Sequence, residues 1–454
     1  MKKLFSRGVT DMTTGNITNH LVSFAIPMLV GFIFQQLYNT VDTWVVGNYV
    51  SNEAFSAVGS VAPIINTLIG FFTGLATGAG VVVSQYFGAK RFERVKEAVH
   101  TSILITVFSS IVFTILGLLM IPLALKLMKT PAEVLPESTT YLKIYFAGLT
   151  GLLFYNMGSG ILRAVGDSRK PFYYLLASAL INTVLDLVFV LVFKMGVDGV
   201  AWATIIAQFI SAILVMIELF TTKSCVKVSF KDMKMQWGLF MKILKVGLPT
   251  GFQMAITAFS NIFVQSYINQ FGADFMSGWT AYGKIDQLLL LPMQSLALAA
   301  TTFVGQNLGV NNIPRVKKGL NTALTLSIAS TAILLVPVLI FAPQLTSFFN
   351  SKPEVIMYGA YLLRIISPFY LCCCVNQIYA GALRGAGVTK IPVIIMLFSF
   401  VAFRQLYLFV VSNFISNTIL PIALAYPAGW TVAAILSTLY YKRVNLENVS
   451  IVEM

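Results

Sequence analysis

Apolar stretches of roughly 20 residues or more recur almost without interruption along this chain, and that recurrence restricts its fold more than any other property. A bilayer core holds no water to satisfy backbone N–H and C=O groups, so only helices and closed barrels can cross it. The stretches are too long and too continuous for barrel strands, which alternate in hydrophobicity over about 10 residues. An all-α integral membrane protein is therefore expected. Composition agrees: 57% of residues are hydrophobic and 11% charged, with mean hydropathy +0.81, whereas soluble domains carry about a quarter charged residues. The polar opening, residues 1–19, precedes an apolar run longer than a signal-peptide core and without a small-residue cleavage pattern, so no cleaved signal is expected.

The hydrophobic runs predict twelve transmembrane helices, at about 20–46, 54–84, 97–122, 138–162, 171–193 and 198–221, then 240–268, 278–305, 318–343, 355–383, 391–415 and 418–440. The formal net charge of +14 would suit a nucleic-acid partner, but its distribution argues for the bilayer and against nucleic acid. Most basic residues fall in alternate connections, beginning with Lys2, Lys3 and Arg7, while the intervening ones hold only Lys126, Lys129, Lys143, Lys194 and Lys352. The positive-inside bias then places both termini in the cytoplasm, with the chain spanning the plasma membrane.

An internal repeat divides the chain. ILRAVGDSRKP at 161–171 returns as ALRGAGVTKIP at 382–392, a shift of 221, and the same shift carries Gln85, Gly88, Arg94, Val95 and Lys96 onto Gln306, Gly309, Arg315, Val316 and Lys317. A shift of 222 takes Pro27 and Asn39 to Pro249 and Asn261. Two pseudo-symmetric six-helix lobes follow, an N-lobe at 1–222 and a C-lobe at 240–454, joined by a basic cytoplasmic linker at 223–239. An even number of spans gives both lobes the same orientation, as in transporters built from parallel repeats, with a cavity between the lobes and alternating access by rocking.

Ionisable groups within spans are costly and need a partner or a function. Three acids qualify: Asp42, Asp186 and Asp286. Asn182 and Asp186 are one helical turn apart and share a face, and Thr204 adds a hydroxyl on the next span. In the repeat, Asp42 maps to Val264, Asn182 to Phe403, Asp186 to Tyr407 and Thr204 to Ala425, so the polar set is confined to one lobe. Its oxygens suit a small hard cation such as Na+, and equally a carboxyl that carries a proton; the residues leave both readings open. Gln35, Tyr38 and Asn39 approach the Asp42 face of the first span and, with Asn156 and Asp286, form a candidate lining for amphipathic organic substrates. Lys284 and Asp286, two residues apart, do not share a face, and Arg364 and Arg404 are expected to pack or snorkel. Cys225 and the adjacent Cys372, Cys373 and Cys374 fit neither a disulfide framework nor a thiolate metal site.

The pattern AIPMLVGFIFQQLYNTVDTWVVGNYV, the ILRAVGDSRKP loop with its twin, and INTVLDLVFV followed by GVDGVAWATIIAQ resemble the multidrug and toxic compound extrusion (MATE) family, in its bacterial DinF-like branch. The resemblance covers nearly the whole chain. It implies secondary active multidrug efflux, antiporting organic and often cationic compounds against Na+ or H+, with no resident cofactor and a monomeric protein. It also implies a cation-coupling site at Asp42, Asn182, Asp186 and Thr204 and a bend at Pro27. The seventh span offers Gln253 and no carboxylate, so a C-lobe ion site built there is not expected. The alternative is a lipid-linked saccharide flippase of the same superfamily, which would favour a basic cavity. No H-E-x-x-H or nucleotide-binding loop occurs, and an enzyme is not expected.

Overall fold

The computed structural model describes residues 8–128, 130–449 and 451–452; Lys2, Lys3, Arg7 and Lys129 of the charge pattern lie outside these residues. Among the described residues all regular structure is helical. The first six passes are α1 (Ile17–Tyr49), α2 (Asn52–Gly88), α3 (Phe92–Leu127), the pair α4 (Leu135–Ala147) and α5 (Leu149–Ala164), α6 (Arg169–Leu187) with a π-helical turn at Val188–Val192, and α7 (Val197–Thr221). The second six begin with α8 (Trp237–Asn269), α9 (Ala273–Gly309) and α10 (Ile313–Ile340). After a short α11 (Ala342–Ser347) come α12 (Pro353–Ile366) with α13 (Tyr370–Gly385), then α14 (Lys390–Leu397) with α15 (Arg404–Val410), and finally α16 (Ile419–Ala423) with α17 (Ala425–Arg443).

The fold is thus the expected all-α membrane architecture of twelve passes in two six-helix halves. Ten of the passes are long and apolar enough to cross a bilayer by length and composition. The fourth is interrupted at Gly148, where a Cβ would lie 2.4 Å from the Ile205 side chain of α7. The seventh, α8, is diluted by Thr250, Gln253, Thr257, Ser260, Asn261 and Gln265 along its middle.

The chain forms two compact units. One comprises the described residues of Met1–Asp11 and Val30–Gly251, the other Met12–Leu29 and the described residues of Phe252–Met454. The boundaries inside α1 and α8 fall two residues past Pro27 and Pro249, the prolines within those helices. Within the first unit, glycines allow backbone-to-backbone packing: a Cβ on Gly74 would sit 2.3 Å from the Gly251 nitrogen, and one on Gly78 2.5 Å from the Gly247 nitrogen. Within the second, a Cβ on Gly385 of α13 would lie 2.3 Å from the Thr301 carbonyl of α9. Small residues at helix crossings gain close van der Waals contact where lipid offers no hydrophobic driving force.

The repeat is visible in the backbone. Gly166 and Gly387 both adopt left-handed φ, +83° and +79°, and each N–H bonds back to an arginine carbonyl, Arg163 at 2.9 Å and Arg384 at 2.8 Å. Lys90 and Asn311 take matching positive φ of 56° and 53° after α2 and α9. The shift then changes within pass eleven. Arg169 and Lys390 begin their helices 221 residues apart, whereas Val197–Thr221 and Ile419–Arg443 are 222 apart at both ends. The additional residue is taken up by a π-helical stretch, Phe398–Phe403, in a region where α6 is regular α-helix. Such turns arise from single-residue insertions. Beyond it, Asn182 corresponds to Arg404, Asp186 to Leu408 and Thr204 to Tyr426, which corrects the pairing with Phe403, Tyr407 and Ala425. Burial follows the corrected register: Asp186 and Leu408 are both 0% exposed.

The linker is fastened to α3 of its own unit. The buried His100 ring meets the Lys96 carbonyl through Nδ1 at 2.8 Å, so Nδ1 carries the hydrogen and Nε2 accepts from the Ser229 N–H at 2.9 Å. The Gln236 N–H bonds to Thr101 Oγ1 at 3.2 Å, and Lys96 pairs with Asp232 at 2.6 Å. His100→Phe is expected to free this segment, accelerating limited tryptic cleavage after the exposed Lys227 and Lys231 several-fold; unchanged cleavage would show that the remaining contacts suffice.

Candidate functional site

The polar side chains of the first unit gather on α1, α4, α6 and α7. Asp42 lies on the second half of α1, beyond Pro27, and its carboxyl adjoins that of Asp186 on α6. Asn182 sits one turn before Asp186 on the same face, 2% exposed. Thr204 on α7 lies beside Tyr141, and its hydroxyl donates to the Val200 carbonyl at 3.0 Å, which leaves its oxygen able to accept or coordinate. A π-helical turn begins two residues after Asp186, with the Phe193 N–H reaching the Val188 carbonyl at 3.0 Å.

Among the described residues, Asp42 Oδ1, both carboxyl oxygens of Asp186 and both polar atoms of the Asn182 amide are buried without a hydrogen-bond partner. No ion pair among those residues includes either acid. Two adjoining carboxyl groups without a basic partner repel one another and are costly to desolvate. A proton or a small cation removes the conflict, and the donor set of carboxylate, amide and hydroxyl oxygens suits a hard ion.

Gln35 and Tyr38 are half-buried near Asp42, and Asn39 is exposed. Asn156 on α5 accepts a long 3.5 Å bond from Thr73 of α2 and donates to the Leu152 carbonyl at 2.9 Å. Asp286 belongs to the second unit, where its Oδ1 accepts from the hydroxyls of Tyr282, at 3.3 Å, and Tyr370. Those two hydroxyls also contact each other at 3.2 Å.

Sequence reasoning missed Tyr141 and Tyr145, one turn apart on α4, whose rings lie 6.4 Å apart in a 15° stack beside the acids. The i,i+4 spacing of the tyrosines in YLKIY, which puts both rings on one helix face, was the available signal. Arg404 does not snorkel. It is 4% exposed, lies 4.7 Å over the Tyr426 ring, and donates through Nη2 to Asn261 Oδ1 at 2.8 Å and Ser260 Oγ at 3.1 Å. The second unit is therefore not uniformly apolar where the first is polar: it has its own buried charges, on other positions and of both signs. The four cysteines are free thiols.

Comparison with known proteins places these features in context. A model of the MatE family matches residues 27–188 and again 249–410, two segments 222 residues apart. "Probable multidrug resistance protein YpnP" of Bacillus subtilis is 30% identical over 87% of this chain and 88% of its own length. "Probable multidrug resistance protein YoeA" of the same organism is 28% identical over 92% of both chains. Among solved structures, the outward-facing conformation of a multidrug resistance MATE family transporter of the MOP superfamily superposes with a TM-score of 0.90 at 23% identity, covering 96% of this chain and 97% of the other.

Proposed function

Because this chain belongs to the MatE family of multi-pass membrane transporters, and so is a transporter and not an enzyme, we propose that it exports amphipathic organic compounds across the plasma membrane in exchange for Na+ or H+. Asp42, Asn182, Asp186 and Thr204 hold the coupling ion. The observation that carries this reading is the adjoining, buried carboxyl pair of Asp42 and Asp186 with oxygens that no described residue satisfies. Those atoms are stable when an ion or proton visits and costly when it leaves, so occupancy changes the relative free energy of conformations that open or close the site.

Pro27 removes a backbone donor within the first half of α1, upstream of Asp42 on the same helix. A change of charge at Asp42 then acts on a helix already weakened at one point, and α1 bends there as the ion comes and goes. Gln35, Tyr38, Asn39 and Asn156 line the path of the organic substrate, and both termini face the cytoplasm, in keeping with the distribution of lysine and arginine. The protein works as a monomer with no resident cofactor.

Reconstituted protein in proteoliposomes, with Na+ and pH gradients imposed one at a time, tests the proposal. Uphill movement of a cationic dye is expected under one or both gradients; dye flux that ignores both would overturn ion coupling. Asp186→Asn should remove the response to the gradient while the protein still inserts and purifies as a single species.

A further inference from the structure

We propose that the second unit contains a separate subsite for an oxyanion, carboxylate or phosphate, carried by an amphipathic organic molecule, with Arg404 as the cation and the Tyr426 ring as its platform. The site is assembled from α8, α15 and α17. Arg404 lies near the middle of pass eleven, away from either end where its side chain would reach water. Its guanidinium stands 4.7 Å over the Tyr426 ring, and Nη2 is fixed by Asn261 and Ser260 of α8. Gln405 steadies the same serine, its Nε2 lying 3.3 Å from both the backbone oxygen and Oγ of Ser260.

The protein gives this guanidinium oriented neutral acceptors but no counter-charge. No ion pair among the described residues includes Arg404, and its Nε is buried without a partner. Guanidinium keeps its charge in proteins, so loss of a proton does not relieve the cost. Asp286 shares the surroundings of Tyr426 but is already bonded to Tyr282 and Tyr370. A planar fork set over an aromatic ring, with a donor left over, is an arrangement that receives a carboxylate or phosphate. The aromatic surroundings, Trp279 with its centroid 5.6 Å from that of Tyr426 and Trp430 with its centroid 6.0 Å away, accept the apolar body of such a molecule.

The internal repeat bears on this position as well. Arg404 stands where the first unit has Asn182, and Tyr426 where it has Thr204. The two units thus use equivalent helix positions for opposite polarity, a cation site in one and an anion site in the other. This inference needs the chain to be a transporter but does not depend on ion coupling at Asp42.

The test uses purified full-length protein and 1-pyrenebutyrate, with its uncharged methyl ester as the control, and reads energy transfer from tryptophan together with ligand-dependent thermal stabilisation. Wild type is expected to bind the carboxylate about tenfold more tightly than the ester, as a charge-assisted bond would give, and to be stabilised by the carboxylate alone. Arg404→Gln should erase that preference while leaving ester binding unchanged, and Arg404→Lys should restore part of it. Asp42→Asn should keep the preference even where it stops ion-driven transport, which separates failure of this proposal from failure of ion coupling. Equal binding of acid and ester by wild type, or an intact preference in Arg404→Gln, would overturn the subsite. In liposomes, competition by phosphatidylglycerol but not phosphatidylcholine would identify a lipid headgroup as the oxyanion, and its absence a free organic anion.

Discussion

Asp42→Asn is expected to reduce gradient-driven efflux to the level of empty vesicles while the protein remains folded and monodisperse. The substitution keeps size and shape, removes the capacity to ionise and exchanges one carboxyl oxygen for an amide donor. In the wild type, Asp42 and Asp186 adjoin in a buried setting with no basic partner among the described residues. An asparagine beside Asp186 relieves their mutual repulsion, so the variant should be at least as heat-stable as wild type. Stability gained together with transport lost would mark a site where charge conflict serves function rather than folding. Normal gradient-driven efflux by the variant would instead return Asp42 to a structural role, leaving the fold untouched.

A second large effect is expected from Gly74→Leu. Its first side-chain carbon would lie 2.3 Å from the Gly251 nitrogen and 2.4 Å from the Gly251 Cα, so the obstacle is backbone and no rotamer change relieves it. Overpacking of cores by added methylenes costs roughly 1–3 kcal/mol where side chains can shift; here two helices must separate, and the penalty should exceed that range. Loss of the monodisperse peak on size exclusion, or a melting temperature lowered by many degrees, is the expected readout. Gly59→Ala, on the same helix with nothing within 4 Å of the added carbon, is the control and should be neutral. Wild-type behaviour of Gly74→Leu would mean that α2 and α8 do not pack as closely as described.

Much of the architecture is legible in the sequence because the bilayer is an undemanding reader: backbone satisfaction requires helices, and length and apolarity locate them. The repeat was readable because the Gly166 and Gly387 turns need left-handed backbone that glycine adopts at little cost. The division of the fourth pass at Gly148 was not, since an uninterrupted apolar run does not announce where a neighbour such as Ile205 presses in.

For the candidate site, Asp42 and Asp186 were conspicuous as buried acids, and the i,i+4 spacing put Asn182 beside Asp186. Tyr141, Tyr145 and Arg404 were harder. Tyrosines are common in spans, and an arginine can lie at an interface or in an interior with the same local sequence. What distinguishes Arg404 is what surrounds it, namely Ser260 and Asn261 from a helix 143 residues or more away in the chain.

The π-helical stretch at Phe398–Phe403 has a wider bearing on how duplicated proteins diverge. One residue inserted into a regular α-helix would turn everything after it by roughly 100° about the helix axis, but the widened turn absorbs that residue locally, so the positions beyond it keep the register of the other half. A half-molecule can in this way lengthen a pass without turning its far side, and the contrast of Arg404 with Asn182 is then one of substitution at an equivalent position. Deleting a single residue from that stretch should then close it to the regular α-helix of the first half and leave Arg404 over its aromatic platform.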